Sequence, residues 1–188
     1  MPQLITHQEK NYIRISSIGD KGHYDNIHPH ILDRAKMRGS QVHQAIEDEL
    51  MGTFGLCEPI WMGYVESWRK WKSHTDFVPY KIEERYFNDE LMITGKIDLI
   101  ADIDGIKYLF DWKTASTRSS QWEIQQGLYA LLLREAQIEL SPYLRVIQLS
   151  KDGTLPKVHT FEMNDSLEKR CLREVKIAWD KVRKREEI

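Results

Sequence analysis

The stretch that most limits what this chain can fold into is Gly95 to Lys113, GKIDLIADIDGIKYLFDWK. It reads as two short strands, Ile97 to Ile103 and Ile106 to Trp112, joined by Asp104-Gly105, the dipeptide favoured in two-residue hairpin turns. Side chains alternate across a strand, so Asp98, Ile100 and Asp102 share one face of the first strand, and Leu109, Asp111 and Lys113 share one face of the second. That register lets Asp98, Asp111 and Lys113 converge at one end of the hairpin. Two carboxylates and an ammonium on an otherwise apolar ribbon are costly to bury unpaired, and a divalent cation would settle them. The alternative is a surface ion pair between Lys113 and Asp111 on a solvated edge.

The rest of the sequence sets limits around that hairpin. At 188 residues, with 41% hydrophobic and 30% charged residues, the chain reads as one domain, 1–188, with a core of its own. No apolar run approaches the roughly 20 residues of a membrane span, and the first residues lack the apolar stretch of a secretory signal, so a cytoplasmic location is expected. Cys57 and Cys171 are too few for a disulfide framework or a four-thiolate site and read as buried thiols. A net charge of −2 excludes coating of nucleic acid by bulk electrostatics. It leaves room for a nuclease, in which a basic track and an acidic metal site cancel in the sum.

Residues Pro29 to Met51 carry a helical stripe of Leu32, Ala35, Val42, Ala45, Ile46 and Leu50. Gly39, His43 and Glu47 recur every four residues on a neighbouring face. Gly39 weakens a helix by about 1 kcal/mol relative to Ala and suggests close approach of a backbone or a ligand. A second helix, Ile60 to His74, places Trp61, Tyr64, Val65, Trp68 and Trp71 at helical spacing. That pattern reads first as core packing; Arg69, Lys70 and Lys72 beside it leave open a stacking platform for a single nucleic-acid strand.

Tyr80 to Asn88 reads as a strand pairing with the hairpin, with Glu83 and Glu84 on opposite faces and one of them facing inward. After the polar loop TASTRSSQ, a helix is expected over Trp122 to Gln137, with Gln125 and Tyr129 on one face. Strands follow at Tyr143 to Leu149 and Lys157 to Met163, joined by the turn Lys151-Asp152-Gly153. Asn164, Asp165 or Ser166 caps a final helix whose basic face, including Lys169, Arg173, Lys181 and Arg185, reads first as a solvated surface, with a DNA contact as the alternative. Near the N-terminus NYIRISSI suggests a short strand, and GDKGHYDN a loop.

The order of four motifs resembles a known family. Arg38-Gly39…His43…Glu47 on a helix, Gly95-Lys96-Ile97-Asp98-Leu99 and Asp111-Trp112-Lys113-Thr114 on strands, and Gln125…Tyr129 on a helix look like the RecB-type branch of the PD-(D/E)XK nuclease superfamily. That branch includes the mitochondrial genome maintenance exonucleases, the CRISPR-adaptation exonucleases and many phage nucleases. The likeness covers about residues 30 to 135. It implies an α/β fold of the restriction-endonuclease type, a mixed central sheet flanked by helices, with a Mg²⁺- or Mn²⁺-dependent site at one end.

By the family pattern His43, Asp98, Asp111 and the backbone carbonyl of Trp112 would ligate the metal, and Lys113 would orient and help deprotonate the attacking water. Gln125 and Tyr129 would contact the scissile strand or brace the lysine, with Arg38 and Thr114 beside them as further substrate contacts. Glu47 and Glu83 would support the site from behind. Two distant cysteines cannot build the iron–sulfur staple of some relatives, and no helicase motor is present, so processivity would have to come from a helicase or recombination partner or from threading. The expected activity is a DNA exonuclease acting on ends, single strands favoured; an endonuclease or a non-catalytic DNA-binding subunit are the alternatives. A ligating His43 must be neutral, so activity is expected to fall as pH drops through about 6.5.

Overall fold

The structure, a computed structural model, describes residues 1–19 and 28–186. In chain order the strands are β1 (Leu4–His7), β2 (Lys10–Arg14), β3 (Val78–Asn88), β4 (Ile93–Ile103), β5 (Ile106–Lys113), β6 (Tyr143–Gln148) and β7 (Lys157–Glu162). The helices are α1 (Pro29–Leu50), α2 (Met62–Ser73), α3 (Gln121–Glu135) and α4 (Asp165–Glu186). Nearly every expected element is present within a few residues of its expected ends; β4 starts earlier than expected, at Ile93 rather than Ile97. The expected loop Gly19 to Asn26 lies, apart from Gly19, outside the described residues. Among the described residues no helix is long and apolar enough to cross a membrane.

The strands form one mixed sheet, ordered β1-β2-β4-β5-β6-β7, with β3 also on β4. The β4–β5 turn is as expected: Asp104 and Gly105 both have positive φ, +54° and +82°, which matches the twist of the flanking strands. The feature that positions the site is a fork beside β4. β3 pairs antiparallel with one edge of β4 along its length. On the other edge β2 pairs in parallel at Ile93 and Thr94, and β5 pairs antiparallel only from Leu99 onward. Gly95 to Asp98 therefore have no strand partner on that edge, and the opening between β2 and β5 becomes a cavity.

Two apolar layers hold the sheet. On one face Ile100 and Leu109 pack with Leu128, Leu132 and Cys171 of α3 and α4. On the other Leu99, Phe110 and Trp112 pack with Val42, Ile46, Trp68 and Trp71 of α1 and α2. Ile97 joins the first layer although Leu99, two residues on, joins the second, so strict alternation slips at Asp98. The aromatic stripe of α2 is thus core: Trp61, Tyr64, Trp68 and Trp71 are all buried, and a base-stacking role is overturned. Truncating a fully buried tryptophan such as Trp68 to alanine would cost about 3–5 kcal/mol.

Arg69 is spent on structure as well, donating to Glu49 Oε1 at 2.8 Å and to the Gly55 carbonyl at 3.2 Å, which ties α2 to the end of α1. Asn164 caps α4 by accepting from Leu167 N at 3.0 Å. Cys171 is buried as expected, but Cys57 is only half-buried, with its thiol 3.6 Å from Met62 Sδ.

Candidate active site

The fork opens into a cavity of about 410 Å³, lined among others by His43, Glu47, Glu83, Lys96, Asp98, Asp111, Lys113, Gln125 and Tyr129. Each wall is supplied by a different element, so their meeting is a product of the fold. The expected convergence of Asp98, Asp111 and Lys113 is present. Gly39 also lines the cavity, and a Cβ there would meet nothing within 4 Å, so it faces open space and no backbone approaches it.

On the β5 side the groups form a closed chain. Lys113 Nζ lies 2.7 Å from Asp111 Oδ2 and donates to Gln125 Oε1 at 3.0 Å. Gln125 Nε2 donates to the Tyr129 hydroxyl at 3.0 Å and, more weakly, to Asp111 Oδ1 at 3.4 Å. The i, i+4 spacing of Gln125 and Tyr129 on α3 permits this pairing. Gly95 makes room for the tyrosine: a Cβ there would fall 2.5 Å from Tyr129 Cε1.

On the β3 side, ligand atoms of His43, Glu83 and Asp98 lie within 4.8 Å of one another. His43 Nδ1 is 3.4 Å from Asp98 Oδ2, and its Nε2 is 3.0 Å from the Trp112 carbonyl oxygen. Trp112 N–H, beyond the end of the β4–β5 ladder, donates to Asp98 Oδ2 at 2.9 Å. Glu83 stands opposite Asp98 in the β3–β4 register, between the pairs Ile82↔Leu99 and Glu84↔Ile97. It does so with φ +50°, an uncommon conformation for a side-chain-bearing residue. Lys96 Nζ neutralises it at 2.6 Å and sits 3.9 Å from Glu47.

The electrostatics follow from this crowding. Burial works against a charged imidazole at His43, but Asp98 beside it outweighs burial and raises its pKa to about 9. Burial alone would raise Asp98, yet His43 holds it below the ordinary carboxylate value. Burial and then the Asp98 charge push Glu83 up to about 7, against the pull of Lys96. Asp111 is raised to about 6 by burial, with Lys113 opposing and Asp98 assisting. With a proton on each nitrogen, the His43 ring serves both Asp98 and the Trp112 carbonyl. The expected drop in activity near the ordinary histidine value therefore moves upward, because a metal must displace a more tightly held proton.

The residues fit a divalent cation. Glu83 Oε1 is buried with no hydrogen-bond partner, and Asp111 Oδ2 also accepts no hydrogen bond despite its ion-pair contact with Lys113. Carboxylate oxygens, a carbonyl oxygen and one imidazole nitrogen are a donor set for Mg²⁺ or Mn²⁺.

Some expectations shift. Glu83, expected only to support the site from behind, stands in the cluster itself. Glu47 lies in the cavity wall but outside that cluster. Arg38 Nε donates to Thr114 Oγ1 at 3.1 Å, and neither residue is among those lining the cavity. Lys96, Arg14 and Arg85 line it and were missed. Only Lys96 carried a signal, its place two residues before Asp98 in GKIDL.

A fork in a mixed sheet thus gathers carboxylates and a lysine in one cavity. A family model described as the PD-(D/E)XK nuclease superfamily matches residues 55–186, and the chain belongs to that superfamily. The match begins after α1, so geometry and the motif order alone tie His43 and Glu47 to the site. No curated protein sequence matches the chain. Among solved structures, an alkaline exonuclease (LHK-Exo) from Laribacter hongkongensis is similar over 94% of this chain and 90% of its own, with a TM-score of 0.52 and 10% identity. A protein from Eubacterium rectale assigned as an exonuclease is similar over 77% of this chain and 66% of its own, with a TM-score of 0.53 and 12% identity. At such identities these likenesses establish the fold.

Proposed function

We propose that the protein is a single-domain, divalent-metal-dependent deoxyribonuclease of the RecB-type branch, an exonuclease that works from DNA ends in the cytoplasm of a bacterial or phage-infected cell. Repair, recombination or phage DNA processing would be its setting. The observation that carries the reading is the convergence of His43, Glu83 and Asp98 with the Asp111–Lys113–Gln125 chain in one cavity. The exonuclease names of the two similar structures support action at ends.

In this reading His43, Asp98, Asp111 and the Trp112 carbonyl hold Mg²⁺ or Mn²⁺, with Glu83 joining them from β3. When bound, the cation would neutralise the non-bridging phosphate oxygens, activate a water and stabilise the leaving oxygen. Lys113, its ammonium held by Asp111 and Gln125, is placed to orient that water and, by its positive charge, to favour loss of the water's proton to solvent. Gln125 and Tyr129 keep the lysine from swinging away, and Lys96 offsets the charge of Glu83 while remaining within reach of a phosphate.

Digestion of 5′- and 3′-labelled single- and double-stranded DNA with Mg²⁺ or Mn²⁺ tests the proposal. Degradation from ends with closed single-stranded circles intact is the expected result. Cleavage of closed circles would make it an endonuclease, and binding without cleavage would make it a non-catalytic DNA-binding subunit.

A further inference from the structure

Behind the active-site cavity lies a second, larger one of about 880 Å³, between β1 and the end of α4. Its walls include Arg14, Lys181 and Arg185, with Leu4, Ile5 and Val182 between them. Arg14 lines both cavities. The parallel pairing of β2 with β4 puts Arg14 beside Thr94, one residue from the gap in the fork, so Arg14 forms a wall common to the two hollows.

Among the described residues these three cations hold no carboxylate, as is also true of Lys169 and Arg173, and what sets them apart is that they line one cavity. Arg69, Arg134, Arg170, Arg183, Lys10 and Lys96 each hold a carboxylate in an ion pair. Among the described residues no carboxylate lies within salt-bridge range of Arg14, Lys181 or Arg185, and Arg14 has only a 3.3 Å contact with Gln3 Oε1. Lys181 and Arg185 are four apart on α4 and so present their charges on one face. On α4, Arg170 and Arg183 are paired, while Lys181 and Arg185 line this hollow, which shares the Arg14 wall with the active-site cavity.

We infer that this cavity is the track for the strand on which the active site acts: Arg14, Lys181 and Arg185 bind phosphates of a single nucleic-acid strand next to the scissile bond. The apolar wall of Leu4, Ile5 and Val182 favours a single strand, whose unpaired bases can lie against it; a duplex offers only its charged outside there. The inference rests on the nuclease reading for its direction, but not for its test.

The test is binding of a labelled single-stranded 20-mer to the full chain in EDTA, across a salt series, read by fluorescence anisotropy. The variant Lys181→Ala with Arg185→Ala should bind several-fold more weakly. Its log K against log salt should flatten by about 1.4, two phosphate contacts at about 0.7 each for a single strand. The control Lys169→Ala with Arg173→Ala, which removes the same charge from exposed positions earlier on α4, should leave the slope unchanged, and melting temperatures should show both variants folded.

In the presence of Mn²⁺, the track variant should raise KM for the 20-mer while kcat and the rate on a dinucleotide stay unchanged. An unaltered slope, an equal loss in the control, or a loss seen only with duplex would overturn the single-strand track. If the wild-type chain cleaves neither substrate the nuclease reading fails, while the EDTA series still decides the track.

Discussion

On the β5 side of the fork, Asp111, Lys113, Gln125 and Tyr129 brace one another through a chain of contacts of 2.7–3.4 Å, with Asp111 Oδ2 held by the Lys113 charge but accepting no hydrogen bond. On the β3 side Glu83 and Asp98 face each other across adjacent strands, and Glu83 leaves a buried oxygen without a partner. The first half is braced as the chain folds, leaving one Asp111 oxygen open; the second is held together by protons and Lys96 until something more positive replaces them. Pre-organisation is thus concentrated where a lysine must not move, and unsatisfied charge where a ligand must be attracted.

The sharpest way to separate the halves is Lys113→Ala. If the lysine handles the water and leaves the metal to its neighbours, cleavage should fall by about 10²- to 10⁴-fold. The rise of melting temperature with Mn²⁺ should persist. Loss of that rise, to the extent seen in Asp111→Asn, would show that the two halves do not work separately.

The converse probes the open half. Metal that binds only the folded chain stabilises it by about 2.7 kcal/mol at a hundredfold excess over Kd. Asp98→Asn and Glu83→Gln should each remove most of that gain, and Glu83→Gln should raise the metal-free melting temperature by relieving repulsion with Asp98. A Glu83→Gln protein with the full metal response would confine Glu83 to holding Lys96.

Protons give a milder handle on the same difference. His43, Glu83 and Asp111 all have folded pKa values above their ordinary ones, at about 9, 7 and 6. The folded state therefore binds more protons, and the stability each contributes is lost as pH rises through its window: from about 6.5 to 9 for His43, 4.5 to 7 for Glu83 and 3.8 to 6 for Asp111. Metal-free protein should lose stability between pH 6.5 and 9, by up to about 1.4 kcal/mol per pH unit. Mn²⁺ affinity should climb over the same range as His43 gives up its proton. A flat metal-free profile, or one that rises, would contradict the environment assigned to His43.

The two halves were not equally legible in the sequence. Asp98, Asp111 and Lys113 sit on a hairpin whose register a two-residue turn fixes, and Gln125 and Tyr129 meet by helical spacing, so local rules suffice for them. Glu83 could be seen only as one of two neighbouring glutamates, because its placement depends on a positive φ and on its pairing with Asp98 fifteen positions further along the chain. Arg14 reaches the cavity through a parallel pairing between strands far apart in the chain, which no local pattern reports. The α2 tryptophans were ambiguous for the same reason: spacing shows a stripe, but only the sheet that covers it decides between core and platform.

The smallest expected effect tests whether the closed half is closed for a purpose. Tyr129→Phe keeps the ring that packs on Gly95 and removes only the hydroxyl that accepts from Gln125 Nε2. One lost hydrogen bond of this kind costs about 1 kcal/mol in stability. Gln125 would keep its 3.0 Å bond to Lys113 but would be steered only by the longer 3.4 Å contact with Asp111. Its amide should then sample more orientations, and kcat should fall a few-fold with the Mn²⁺ response unchanged, because no group of the β3 side is touched. A fall as deep as that of Lys113→Ala would mean that the tyrosine acts on the substrate directly. An unchanged kcat would mean that Asp111 alone holds the lysine, and that the chain through α3 serves stability and nothing more.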